Sequence, residues 1–419
     1  SRGNPTVEAD VILSNGIIGR AAAPSGASTG DKEALELRDQ STYWCGKGVN
    51  QAISNIHNHI KPALIGLAIS DILKIDSIML DLDGTDNKSK FGANAILAVS
   101  LASVQAAALD QNMLLYQFIG DHFFDKQYSM PMPMMNILNG GSHADNTVDI
   151  QEFMIMPINF DNYQDALRAG TEIFHSLKKI LKKRNYNTSI GDEGGFAPNL
   201  SSNEEAIECI LEAIHAANYD GSGQISLALD VAASEFYNND KQTYHLESEN
   251  KYLNAEQLIQ YYEKLCNQYP IVSIEDALDQ NDWQAWSELN QKLGSNVQIV
   301  GDDLTVTNKK LLQKSIDLNA MNAILIKLNQ IGTFTETVDT IKLAQNNQLG
   351  TIISHRSGET ENTFISDLAV ASNSGQIKTG SLCRTDRTAK YNQLLRIDES
   401  ENFSLQYANK KYLGCEGKK

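Results

Sequence analysis

Short β-branched runs that each end in a charged residue constrain this chain most strongly. Asp230 ends Ile225-Ser226-Leu227-Ala228-Leu229, and Glu275 ends Ile271-Val272-Ser273-Ile274. Asp302 follows Val297-Gln298-Ile299-Val300-Gly301, and Lys327 ends Ala323-Ile324-Leu325-Ile326. His355 follows Thr351-Ile352-Ile353-Ser354, and Lys378 follows Gln376-Ile377. Each run has the length and composition of a buried strand. Over most of this stretch the charged ends recur roughly every 25–30 residues, the period of a βα unit in a closed barrel. The C-terminal rim of such a barrel gathers strand-end side chains into one pocket. Three acids near two lysines there suit a divalent cation beside an anionic substrate.

At 419 residues the chain is too long for one ordinary core, so two domains are expected. The stiff apolar segment Met130-Pro131-Met132-Pro133-Met134 marks the boundary. Residues 1–125 read as a smaller α+β capping domain and residues 126–419 as the barrel. The small domain opens with two strands over 6–22, joined at Ser14-Asn15-Gly16. The small residues from Pro24 to Gly30 read as a flexible loop, and helices are expected over 50–60 and 92–109. The large domain begins with strands at Met134–Leu138 and Gln151–Pro157, then helices over 163–184 and 203–217. Ser202 with Glu205 reads as a capping box for the second helix. Strand–helix alternation alone does not separate a barrel from an open sheet. The lack of Gly-x-Gly-x-x-Gly after a strand and the acids at successive strand ends favour the barrel.

The net charge of -17, from 35 basic and 52 acidic side chains, opposes general nucleic-acid binding. Five scattered cysteines suggest neither a disulfide framework nor a zinc site, and point to a reducing cytoplasm. No apolar run is read as long enough for a membrane span, and no signal peptide is visible. The opening Ser1-Arg2-Gly3-Asn4-Pro5 reads as a turn feeding a strand, so a short segment with a pairing strand is expected before it.

Several residues carry candidate chemistry. Asp230, Glu275 and Asp302 are chosen over the adjacent Asp276 and Asp303 because each directly ends a strand or its glycine extension. One acid in such a place equally suits a helix cap; three aligned on strands suit a metal. Burial and nearby cations would lower the pKa of Lys327 and make it a general base. Arg356 and Ser357 would grip a phosphate or carboxylate, with His355 orienting the substrate. Gly191-Asp192-Glu193-Gly194-Gly195 presents Glu193 or Asp192 between glycines, and Gly140-Gly141-Ser142-His143 presents His143 ahead of Glu152.

These segments resemble the enolase family over nearly the whole chain. The likeness rests on Ser1 to Glu8, Pro24 to Gly30, Asn87 to Leu97, Gly191 to Pro198, Ser273 to Asp276, Gly301 to Thr307, Ile326 to Thr333, Ser354 to Thr360, and Ile377 to Gly380. It implies a modified TIM barrel with one antiparallel strand, preceded by the α+β domain. It also implies reversible dehydration of 2-phospho-D-glycerate to phosphoenolpyruvate. In that reading Lys327 is the base and Glu193 the acid, supported by Glu152. Asp230, Glu275 and Asp302 hold one Mg2+, and Ser28 helps hold a second that arrives with substrate. Arg356 and Ser357 hold the phosphate, and His143, Lys378 and His355 face the substrate. Ala277, Thr305 and Asn362 depart from the family pattern without removing a matched catalytic group. A sugar-acid dehydratase of the same barrel superfamily is the alternative enzyme. The resemblance further implies a homodimer or an octamer of dimers, and a loose impression of bacterial origin. A secondary secreted or cell-surface role is also considered, with plasminogen captured through Lys418-Lys419.

Overall fold

The computed structural model describes residues 2–26, 29–221, 223–402 and 404–415. Ser28 and the Lys418-Lys419 pair lie outside the described residues.

Glu8–Ile12 (β1) and Ile18–Ala22 (β2) pair antiparallel, with Glu8 opposite Ala22 and Ile12 opposite Ile18. Gly16 turns the hairpin at φ +86°, a left-handed conformation that costs glycine no Cβ clash. The helices of the small domain follow. Asn50–Asn55 (α1) and Lys61–Leu64 (α2) are joined by a π turn over Ile56–Ile60, so this helical stretch runs beyond the expected residue 60. Ile72–Asp83 (α3), Ala93–Asp110 (α4) and Leu115–Phe123 (α5) complete the set. One expectation needs correcting here. By length and composition α4 is long and apolar enough to cross a membrane, yet 83% of it is buried inside the protein. Its Ala- and Leu-rich surface packs against β1, β2, α3 and α5, so it is the core helix of this domain.

Met132–Asn139 (β3), Glu152–Pro157 (β4) and Ile225–Asp230 (β5) enter the barrel. A three-stranded antiparallel excursion follows, Tyr237–Asn238 (β6), Thr243–Leu246 (β7) and Lys251–Leu253 (β8). Ile271–Glu275 (β9), Gln298–Gly301 (β10), Ala323–Ile326 (β11), Gly350–Ser354 (β12) and Gln376–Lys378 (β13) complete the ring. The barrel closes in the order β10-β11-β12-β13-β3-β4-β5-β9. Every pair is parallel except the two made by β4, which runs antiparallel to β3 and β5. Around the ring lie Tyr163–Lys183 (α6), Asn203–Ala216 (α7), Ala255–Gln268 (α8), Trp283–Leu293 (α9), Lys309–Asp317 (α10), Leu328–Ile331 (α11), Phe334–Asn346 (α12), Phe364–Ala371 (α13) and Thr385–Ser400 (α14). Ser202 caps α7 through Glu205 N as expected. The Glu205 carboxylate, however, accepts from Ser201 N at 2.7 Å rather than returning to Ser202, so the capping box is half made.

The reversed strand decides what reaches the rim. The first residue of β4 lies at the end where its parallel neighbours finish, so Glu152 stands opposite Asp230, and Asp230 opposite Glu275.

The small domain also caps the barrel. The first N–H groups of α12 have no partner within their own helix. Ser100 Oγ accepts from Phe334 N at 2.9 Å and Asp76 Oδ2 from Thr335 N at 3.0 Å, while Lys88 Nζ lies 3.0 Å from Glu336. Burial raises the Asp76 carboxyl to about 6, against the downward pull of Ser100 and Thr335. A raised carboxyl pKa means that the folded state binds the proton more tightly than the unfolded state. Its stabilisation is complete below about 3.8 and is lost as pH rises through about 6. Relative to Asp76→Asn, the wild type should therefore lose on the order of 2 kcal/mol between pH 4 and pH 7. Urea unfolding of both proteins at the two pH values checks this; a difference that does not move with pH would refute it.

Candidate active site

Eight carboxylates and three permanent cations line a cavity of about 490 Å³ at the rim. A larger cleft of about 950 Å³ lies among Gln345, Gly350, Ser372 and Tyr412, around the start of β12 at the other end of the barrel, and gathers no such cluster of charge. The chemistry therefore belongs to the smaller one.

Lys378, at the end of β13, is buried and reaches three acids. Its Nζ lies 2.8 Å from Asp230, 2.9 Å from both oxygens of Glu275 and 3.3 Å from Glu152. Burial opposes its charge, but Asp230, Glu152 and Glu275 outweigh burial and hold the ammonium above its ordinary range. Lys327 Nζ contacts Asp302. Here the expected direction is reversed: burial does pull Lys327 down, yet the Asp302 carboxylate more than compensates, and the pKa is raised. Without another cation on Asp302, Lys327 is an ammonium and not a base.

The acids beside the chosen ones have work of their own. Asp276, held at φ +45°, accepts from Asp302 N and Asp303 N, each at 2.9 Å. It thereby fixes the turn that presents Asp302. Carboxylate oxygens of Asp276, Asp302 and Asp303 come within 4.8 Å of one another. Burial first, then mutual repulsion, lifts Glu275 and Asp276 well above the ordinary carboxylate range and Asp303 to about 7. An all-oxygen donor set carrying this much unrelieved negative charge fits a hard divalent cation. Of the expected ligands Asp230, Glu275 and Asp302, the structure brings Asp302 into such a group with Asp276 and Asp303, while Asp230 and Glu275 stand beside each other on Lys378.

Four strand positions around the ring from β11, on the opposite wall, His143, Glu152 and Glu193 converge to within 4.8 Å. His143 Nδ1 lies 3.6 Å from Glu152 and 3.8 Å from Glu193. His355 Nε2 lies 3.3 Å from Glu193 Oε2, which also accepts from Asn136 at 3.3 Å. Burial pushes both histidines down, His355 to about 4. Burial and the Glu193 charge raise Glu152 well above its usual range. Glu193 feels burial upward, but His355, His143 and Arg387 pull it well below. The two carboxyls form a coupled pair that shares one proton, Glu152 held above and Glu193 below the ordinary range. Coupled carboxyls share such a proton. His143 Nδ1 and Glu152 Oε2 lack hydrogen-bond partners although buried, and donors and acceptors of that kind are left for a ligand.

Arg356 is already engaged. Its Nη1 donates to Glu33 at 2.8 Å and to Asn329 at 2.9 Å. Glu33 comes from the small domain, and so does Ser25, which exchanges backbone hydrogen bonds with Gly358 at 3.0 and 2.8 Å. The Pro24–Gly30 loop, expected to be flexible, is tied down at Ser25. Ser357 lines the cavity beside Arg356.

Three functional residues escaped the sequence reading. Glu33 has no local signal, since its partner is 323 positions away. Gln330, one turn after Lys327, donates to Asp302 at 2.8 Å and to Glu33 at 3.3 Å; its i+3 spacing from Lys327 was a usable hint. Arg387 is buried beneath His355 with no pattern to announce it. The residues that depart from the family pattern are accommodated locally. Thr305 donates to Gly301 O, and Asn362 accepts from Phe364 N.

Two family models match this chain, the enolase N-terminal domain over residues 1–119 and the enolase C-terminal TIM barrel domain over residues 127–414. The chain belongs to the enolase family.

Because Asp276 shapes the turn without being chosen as a ligand, Asp276→Ala should weaken divalent-cation binding about 10–100-fold, as loss of an orienting partner does. Asp276→Asn, which keeps one acceptor, should cost less. Calorimetric titration with Mg2+ measures both; wild-type affinity in the alanine variant would remove Asp276 from this role.

Proposed function

We propose that this enolase-family protein catalyses the magnesium-dependent, reversible dehydration of 2-phospho-D-glycerate to phosphoenolpyruvate. One observation carries the reading: an amine and a proton-sharing carboxyl pair face each other across the rim. Lys327 follows β11 and Glu152 opens β4, four positions apart in a ring of eight. Such a pair can remove a proton from one face of a substrate and help a hydroxyl leave from the other.

Lys327 takes the C2 proton. The electron pair left by that proton forms the C2–C3 double bond as the C3–O bond breaks. The departing hydroxyl receives the proton shared by Glu152 and Glu193 and leaves as water. Lys378 faces the substrate carboxylate, whose negative charge grows when C2 is deprotonated. Mg2+ held by Asp230, Glu275 and Asp302, with a second ion expected at Ser28, would neutralise the acids, lower the pKa of Lys327 and stabilise that developing charge. Arg356 and Ser357 hold the phosphate, so Glu33 has to yield the guanidinium when substrate enters. His143 and His355 complete the wall on the Glu193 side. The superfamily supports a lyase, and the Arg356–Glu33 pair favours a phosphorylated substrate over a plain sugar acid.

Purified protein should turn over 2-phosphoglycerate in Mg2+ and stop with a chelator. Turnover of a non-phosphorylated sugar acid instead would overturn the substrate assignment. The two half-reactions separate the roles. Lys327→Ala should abolish exchange of the C2 hydrogen with solvent. Glu193→Gln should slow dehydration by about 100-fold or more while exchange persists. Normal C2 exchange in Lys327→Ala, followed by NMR in deuterated water, would sink the assignment of the base.

A further inference from the structure

We propose that Arg387 is a positioning residue that fixes His355 as the Nε2–H tautomer and clamps the Glu193 loop to the phosphate-binding loop. The proposal deepens the reading above, since it rests on Glu193 acting at the C3 hydroxyl.

Arg387 lies in the first turn of α14 and is fully buried. The four N–H groups on its Nη1 and Nη2 have hydrogen-bond partners, while Nε makes only an ion-pair contact. Nη1 faces His355 Nδ1 at 2.5 Å and Arg356 O at 2.6 Å. Nη2 faces Ser357 O at 2.6 Å and Asp192 O at 3.4 Å. Nε lies 3.0 Å from Asp386 Oδ2. The carbonyls of Arg356 and Ser357 belong to the loop after β12, and that of Asp192 immediately precedes Glu193. One rigid guanidinium therefore sets the distance between two loops that arrive from different parts of the chain.

The contact with His355 has a chemical consequence. A guanidinium has donors only. Nδ1 of His355 must therefore present its lone pair to Arg387, which leaves the ring proton on Nε2, facing Glu193 Oε2 at 3.3 Å. A second proton could enter only at Nδ1, against an N–H of Arg387. The charged groups facing the ring are Glu193, which favours a cation, Arg387, which opposes it, and Glu359, which favours it more weakly; burial outweighs them all. Gly380, at φ +77°, shows how closely the parts meet. A Cβ there would lie 2.8 Å from Arg387 Cδ, 2.9 Å from Glu193 O and 3.0 Å from His355 Cε1.

A lysine in place of Arg387 keeps the charge but cannot span both loops and the ring. Arg387→Lys should therefore slow dehydration of 2-phosphoglycerate by about 10-fold or more while C2-hydrogen exchange, which depends on Lys327, changes less than about 3-fold. The decisive measurement needs neither substrate nor turnover. Long-range proton–nitrogen spectra of the full-length protein labelled with 15N-histidine should show His355, assigned by its loss in His355→Gln, with hydrogen on Nε2 and none on Nδ1. This should hold from pH 6 to 8, and the state should change in Arg387→Lys. Hydrogen on Nδ1 in the wild type, or titration of the ring in that range, would overturn the proposal. So would a folded Arg387→Lys with unchanged tautomer and unchanged dehydration. Should the variant fail to fold, the wild-type spectrum decides alone. Because that spectrum is recorded without substrate, a wrong tautomer and a wrong substrate assignment give different results.

Discussion

The rest of the rim is arranged around one unfavourable fact, a buried surplus of carboxylates counterbalanced by Lys378 and Lys327. Ion pairs taken out of water seldom stabilise a fold relative to apolar packing of the same volume, because desolvation consumes most of the Coulomb gain. The barrel beneath them is closed by apolar strand residues that need no such help. Local rules broken inside an otherwise regular core mark a functional site more often than a structural one. Lys378 sits among Glu152, Asp230 and Glu275, and Lys327 on Asp302, which is where positive charge is required. Glu152, Glu275, Asp276 and Asp303 nevertheless stay above their usual range, while Lys378 holds Asp230 below it, and such a crowd of acids suits a divalent ion.

Strand direction converts that surplus into a usable geometry. Were β4 parallel to its neighbours, its first residue would fall at the opposite end of the barrel. Reversal brings Glu152 into register with Asp230, and through Asp230 with Glu275. Glu193 comes from a loop bridged to the barrel, with Phe196 beside Leu138 of β3. The proton-sharing pair is thus assembled from a strand and a loop, each anchored by backbone hydrogen bonds, opposite the lysine that follows β11.

Much of this was legible because buried strands leave a simple mark: an apolar run that stops at a charge. Asp230, Glu275, Asp302, Lys327 and Lys378 all stood out in that way, and the fold followed from their spacing together with the family resemblance. What stayed hidden was set by tertiary neighbours. The pKa direction of Lys327 depends on Asp302, which burial arguments about one residue cannot include. The lowering of Glu193 depends on two histidines and an arginine gathered from two loops and a helix. The Pro24–Gly30 segment reads as flexible because small residues make no core, yet the backbone of Ser25 is paired with Gly358. Small residues there permit close approach to the barrel as readily as they permit motion.

That approach gives the small domain a chemical purpose. Ala34 N donates to Gln330 O, Gln330 reaches both Asp302 and Glu33, and Glu33 holds Arg356. A continuous set of hydrogen bonds therefore runs from the acid expected to carry metal, through a one-turn helix, to the arginine expected to carry phosphate. Glu33 is the member that changes partner in this scheme. Its carboxylate offers Arg356 the same planar pair of oxygens that a phosphate would offer, so the guanidinium stays oriented and desolvated before substrate arrives. A substrate lacking the phosphate would offer Arg356 no anion to exchange for Glu33, and the pair would stay closed. On the proposed reading, the arginine that would hold a phosphate is thus kept ready by a residue of the capping domain, which a barrel alone would lack.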